Sequence, residues 1–228
     1  MNRRVLIPLL FGLAGVVVLL GLGKWQLDRL EWKEGVLAGI ESRIGADPVP
    51  LPQAPDPAED KYLPVEVTGV IEPGALRVLV SQKRVGAGYR LVSALDTGER
   101  RVLVDRGFVE VGADLPAPPD DPVTVTGNLH WPDDRLDSTP ENDVAGNTWF
   151  ARDVAPMAEV LGTEPLLVIA GEVLPPEQDV SPLPVDTAGI PNDHLEYAIT
   201  WFSLAGVWAI MTAVVIRREV RAAKGAGT

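Results

Sequence analysis

Two apolar runs, one near each end, constrain this chain most. Residues 5–23 and residues 198–216 each extend for 19 positions without a charged side chain. A bilayer core of about 30 Å takes roughly 20 helical residues to cross, so each run is long enough to span it. The stretch between them, about 175 residues, is enough to bury one sizeable core. That arrangement argues against a soluble cytosolic enzyme.

The net charge of −12 is unevenly placed. Arg3 and Arg4 precede the first run, and Arg217, Arg218, Arg221 and Lys224 follow the second against Glu219 alone. The central segment carries 14 basic and 31 acidic residues. Basic flanks on the outer sides of both runs put both termini in the cytoplasm and the acidic domain across the membrane. An acidic domain is a poor partner for nucleic acid, whose phosphates call for Lys and Arg, and it is repelled by anionic lipid. A cleaved signal peptide is the competing reading of the first run. That run exceeds an ordinary signal h-region, lacks a small-residue cleavage site and continues into residues of helical character. Without an Arg- and Ser-rich transit sequence, the expected location is a bacterial inner membrane, with the central domain periplasmic.

The absence of cysteine excludes disulfides, thiolate metal sites and CxxCH haem attachment. With only His130 and His194, a multi-histidine metal site is not expected.

The organisation expected is a membrane-anchored α+β fold. Residues 1–23 form the first transmembrane helix with its cytoplasmic N-terminus, and 24–46 an amphipathic helical extension. Five prolines make 47–61 an extended linker. Residues 62–175 are a β-rich, antiparallel domain, with strands at 63–72, 76–82, 89–95, 101–111, 123–131 and 165–173 and a short helix at 153–161. A second proline-rich connector covers 176–192, the second transmembrane helix 193–216, and a basic cytoplasmic tail 217–228.

Three stretches resemble the Surf-one (Surfeit locus protein one) family of cytochrome c oxidase assembly factors. The first is Gly23-Lys24-Trp25-Gln26-Leu27-Asp28-Arg29-Leu30-Glu31-Trp32-Lys33 after the first apolar run. The second is Gly88-Tyr89 with Val102-Leu103-Val104-Asp105-Arg106-Gly107-Phe108-Val109, where Phe108 stands in place of the family's usual tryptophan. The third, Asn192-Asp193-His194-Leu195-Glu196-Tyr197-Ala198-Ile199-Thr200-Trp201-Phe202, opens the second membrane helix. The resemblance implies a helper in maturation of a haem–copper oxidase that acts around insertion of haem a. The implied partners are the haem-bearing catalytic subunit and the haem a synthase, besides the bilayer. His194 matches the family's second-helix histidine. No catalytic residue carries over, and the implied role is binding and delivery, not turnover.

The residues themselves leave alternatives open. Neutral imidazole ligates haem iron, but on the residues alone a hydrogen-bonded structural role is the better reading of His194, and it is the resemblance that favours the ligand. Tyr197, Ala198, Trp201, Leu204, Ala205 and Trp208 share a broad helical face that suits a porphyrin edge; aromatics near a membrane end also form ordinary interfacial belts. Gly12, Gly15 and Gly21 permit close approach of a helix or flat ligand. Arg29 suits a haem propionate or an ion pair with Asp28, Glu31 or a domain acid. Arg106 suits a propionate or, with Gly107, a bulge or turn with a buried arginine pair, and the second is the stronger reading. Met211, about 25 Å along the helix from His194, is too distant for a second axial ligand. Asp133, Asp134 and Asp137 lack calcium-loop spacing. Trp25, Gln26, Trp32 and Asn192 belong to the resemblance without an assigned task. A haem-free scaffold for oxidase subunits explains the same anchors. An enzyme lacks a nucleophile–base pair, and a sensor lacks an output domain.

Overall fold

The computed structural model describes residues 3–83 and 85–225. Residues 226–228 of the basic tail lie outside them, as do the side chains of Arg4 and Lys224. Helix α1 (Arg3–Ile44) opens the chain and α3 (His194–Gly225) ends it. In between lie β1 (Val49–Pro50), β2 (Pro64–Ile71), β3 (Leu76–Gln82), β4 (Gly86–Asp96), β5 (Arg101–Glu110), β6 (Val123–His130), β7 (Thr148–Trp149), α2 (Val154–Leu161) and β8 (Leu167–Leu174). They fall into two compact units. One joins Met1–Gly39 to Ala188–Thr228, and the other is Ile40–Thr187. The helical extension expected at 24–46 runs to Ile44, continuous with the first apolar run in α1. Likewise α3 does not stop at residue 216 but runs on through the basic segment.

In the unit Ile40–Thr187 the strand pairings close on themselves. β2 pairs with β6, β6 with β8, β8 with β5 and β5 with β4. β4 then returns to β2 through Val70–Asp96 and Ile71–Leu95. A ring of five strands cannot alternate in direction all the way round, so one neighbouring pair must run parallel. Here it is β5–β8, in register at Leu103–Leu167, Val104–Val168 and Asp105–Ile169. A parallel neighbour needs a long crossover, and β8 follows a connection that contains α2. Two short pairs are also parallel, β1 with β2 and β3 with β7. The antiparallel sheet expected from the sequence is therefore corrected to a mixed one, and ring closure is the reason.

Alternation along each strand sorts the core into two layers. Val65, Leu95, Val104, Val125 and Val168, one from each ring strand, pack together inside the ring with Val67, Ile71 and Leu129. The opposite faces contribute Val92, Leu103, Leu167 and Ile169 to an outer layer, covered by Trp149 of β7 and by Met157 and Ala158 of α2. Gly162 ends α2 in the left-handed conformation at φ +63°.

The two proline-rich segments are tied down. Val49 and Pro50 add a short edge strand to β2, where proline is tolerated. The connector after β8 is strapped to the ring as far as Thr187. Ser181 and Phe108 exchange backbone hydrogen bonds of 3.0 and 2.7 Å, and Arg90 Nη1 donates to the Leu183 carbonyl at 3.2 Å. Arg106, 1% exposed, is buried in an ion pair with Glu177 of the connector. Gly107 has φ +128°, and a Cβ there would run into the Ser181 carbonyl. The Arg106-Gly107 stretch thus seats the connector against β5.

A second polar group lies among β4, β5 and the loops. Arg90 Nη1 donates to the fully buried Asp105 Oδ2 at 2.5 Å, and Arg152 sits 3.8 Å from it while pairing with Asp134 at 2.6 Å. Burial pushes the Asp105 carboxyl up, and the Arg90 and Arg152 guanidiniums oppose that shift. Asp134 is therefore an ion-pair partner within the acidic loop. His130 stacks on Tyr62, with ring centroids 5.2 Å apart. Burial first, then the Arg152 and Lys61 charges, lower its pKa to about 4.

Two outcomes follow for stability. Arg106→Met strands the Glu177 carboxylate and should cost about 3–5 kcal/mol. Adding Glu177→Leu should recover most of that loss, as a double-mutant cycle by urea unfolding of the full chain in detergent will read. His130 is held neutral in the fold and charges in the unfolded chain. Its contribution is thus intact above the unfolded pKa near 6.5 and declines as pH falls from there toward about 4. His130→Asn should flatten that part of the melting temperature–pH curve relative to the parent; parallel curves would contradict it.

Candidate functional site

The unit formed by α1 and α3 carries most of the residues of the first and third motif stretches. The apolar windows of α1 and α3 have mean hydropathies of 2.8 and 2.0, and only 6% of each is buried. Both helices are long and apolar enough to cross a membrane. A core helix of a soluble protein would be mostly covered, and these are not.

Small residues set the approach of the two helices. A Cβ on Gly12 would meet the Thr212 side chain, one on Gly15 the Trp208 indole and one on Gly23 the Phe202 ring. Gly21 faces nothing within 4 Å. Trp208 Nε1 donates to the Gly12 carbonyl at 3.1 Å, and its ring meets Phe11 at 5.5 Å, tilted by 54°. Such a bond is favourable in lipid, where water cannot satisfy the indole. Beside it lies a cleft of about 540 Å³ lined by Phe11, Ala14, Gly15, Val18, Leu19, Leu204, Val207 and Trp208.

The face expected to receive a porphyrin edge is divided. Ala198 and Ala205 are buried, and Trp208 is engaged with α1. Tyr197 and Leu204 are exposed, and Trp201 is half-buried. Arg29 is exposed and stacks its guanidinium over Trp32, 3.8 Å from the ring centroid. That cation–π contact is its partner, an arrangement neither sequence alternative included. Trp25 is exposed. Asn192 presents a buried Oδ1 with no hydrogen-bond partner among the described residues.

His194 and Gln26 meet. His194 is the first residue of α3, and its Nδ1 lies 2.8 Å from Gln26 Oε1. Gln26 is 8% exposed. By helical rise, Gln26 lies about 4.5 Å beyond Gly23 and His194 about 6 Å before Ala198, so both sit just past the apolar runs. An amide oxygen only accepts, so this contact calls for a proton on Nδ1, and an imidazole that donates there with one proton has its lone pair on Nε2. Nε2 makes no hydrogen bond among the described residues. One imidazole nitrogen without a hydrogen bond among the described residues fits the donor chemistry of a haem ligand. No group of three or more His, Cys, Asp or Glu side chains suited to a bare metal ion occurs among the described residues. Gln26 was legible as a motif residue but not as the partner of His194. The available signal was its place: a buried amide at the end of an apolar run is costly unless paired.

The helix register can be tested in a chain with no native cysteine. A Gly12→Cys, Thr212→Cys pair should oxidise to an intramolecular disulfide, seen as a mobility shift on non-reducing gels. The Gly21→Cys, Thr212→Cys control should not, and equal cross-linking of both would refute the register.

Residues 13–206 match the SURF1 family, a span from the first apolar run into α3. Surfeit locus protein 1 of Homo sapiens is 31% identical, covering 83% of this chain and 71% of its own length. A SURF1-like protein of Monosiga brevicollis is 32% identical over 89% of this chain and 85% of its own. A SURF1-like protein of Rickettsia felis is 31% identical over 89% of this chain and 93% of its own. On that breadth of similarity, from within the first apolar run to within the second, the chain belongs to the SURF1 family.

Proposed function

We propose that this protein is an assembly factor for a haem–copper cytochrome c oxidase, and that it binds haem a through His194 and assists its insertion into the catalytic subunit. The observation that carries this reading is the His194–Gln26 pair, which leaves Nε2 free at the end of an apolar helix. Bound haem would contribute an iron that accepts this nitrogen, and His194 would be its axial ligand. Tyr197 and Trp201 would flank the ring. Arg29 would meet a propionate, for which its guanidinium would leave or share the Trp32 face. The role is to hold and pass on a cofactor, with no catalytic turnover by this chain.

The same reading places the protein in a bacterial inner membrane, with both termini cytoplasmic and the ring periplasmic. Its support is the excess of Arg and Lys outside both apolar runs. The partners are the haem-bearing oxidase subunit, which receives the haem, and the haem a synthase, which supplies it. A haem-free scaffold that stabilises oxidase subunits is the second reading. It is favoured by the use of Trp208 in helix packing and of Trp32 by Arg29.

The deciding measurement is a reduced-minus-oxidised spectrum of protein purified in mild detergent from cells that make haem a. A haem a band is expected, and His194→Ala should remove it. Folded protein without haem, from membranes that contain haem a, would leave the scaffold.

A further inference from the structure

We infer that Gln26 is the positioning residue of the site: its side-chain carbonyl fixes His194 as the Nδ1–H tautomer and aims the bare Nε2 outward as the ligand atom. The inference rests on the reading of His194 as a haem ligand and adds what makes that histidine ready to bind. A free imidazole favours the proton on Nε2, the tautomer that withholds the ligand atom. At 2.8 Å, Gln26 Oε1 reverses that preference, because it accepts a proton and offers none. A ligating histidine ordinarily donates its second N–H to a carbonyl or carboxylate that orients the ring and raises its basicity. Here that acceptor comes from the other helix, α1. Gln26 is nearly buried, so its carbonyl is largely shielded from competing water. Packing of α1 on α3 at Gly12, Gly15 and Gly23 therefore bears on the site, since it holds acceptor and ligand together.

The inference separates a positioning role from a packing role through three substitutions. Gln26→Leu keeps the bulk and removes the acceptor. Gln26→Glu keeps an acceptor. His194→Ala removes the ring and assigns its signal against His130. The full chain, labelled with ¹⁵N-histidine in detergent at mildly alkaline pH, gives the tautomer directly by NMR. The parent and Gln26→Glu should show a protonated Nδ1 and an unprotonated Nε2 at His194. Gln26→Leu should move the proton toward Nε2. Titration with ferric protoporphyrin IX then reads ligation. Gln26→Leu should bind about 10–100-fold more weakly than the parent, and Gln26→Glu should restore binding.

An Nε2–H parent, or a tautomer and affinity indifferent to Gln26→Leu, would overturn the inference while leaving haem binding intact. Equal haemin binding by the parent and His194→Ala would instead overturn the haem reading, and the tautomer result would still decide whether Gln26 sets the ring.

Discussion

Closure of an odd ring governs the folded domain. Five strands that return on themselves must include one parallel neighbour, and a parallel neighbour must be reached by a long excursion. β8 is that strand, reached from β5 by way of β6 and then a connection that carries β7 and α2. Those elements then cover the outer layer formed by Val92, Leu103, Leu167 and Ile169. Ring closure thus accounts for the mixed sheet, and the long β6–β8 connection, which antiparallel neighbours do not require, supplies the cover of the second hydrophobic layer. Closure also removes most free strand edges, which otherwise invite pairing with other chains. The pairing that completes the ring, β2 with β4, is only two residues long. The remainder of the ring holds those two positions in place.

The same ring explains why the second motif stretch is not part of the candidate site. Arg106 and Gly107 lie where β5 runs past the end of its β8 pairing and the connector crosses it. An ion pair as covered as Arg106–Glu177 adds little net stability over apolar packing, but a lone carboxylate there would be strongly disfavoured. Its effect is to select one path for the connector, and Gly107 selects the same path by allowing a backbone crossing that a Cβ would block. Arg90 reinforces it at the Leu183 carbonyl. A motif in this chain can therefore mark the route of the backbone rather than the chemistry of a ligand.

Most elements were legible because each has the period and punctuation of its own type. Alternating Val65, Val67 and Val125 mark strand faces, and Pro73-Gly74 and Thr97-Gly98 mark the turns between strands. Ring closure was not legible, because register between distant strands leaves no local trace, and the parallel pair followed from closure alone. The strapped connector was hidden for a similar reason: proline-rich composition reports the loss of backbone donors, not the contacts that side chains such as Glu177 make. At the helices, spacing identified a face containing Ala198, Ala205 and Trp208 but not what covers it. Glycine positions were the more informative signal. Gly12 and Gly15 fall where α3 approaches, and Gly21, of the same residue type, does not.

That packing bears on how a binding residue can be kept at a membrane edge. A single histidine at a helix terminus has a ring free to turn and a proton free to choose either nitrogen, so its ligand atom is present only part of the time. An acceptor in the same helix would orient the ring but leave that orientation independent of the partner helix. Placing it on the other helix makes orientation of the ring depend on correct association of α1 with α3. A chain whose helices have not packed then lacks the Nδ1–Gln26 contact, whereas in a packed one the ring is already oriented. The coupling of the His194 ring to helix packing needs no residues beyond Gln26, His194 and the glycines that bring the two helices together.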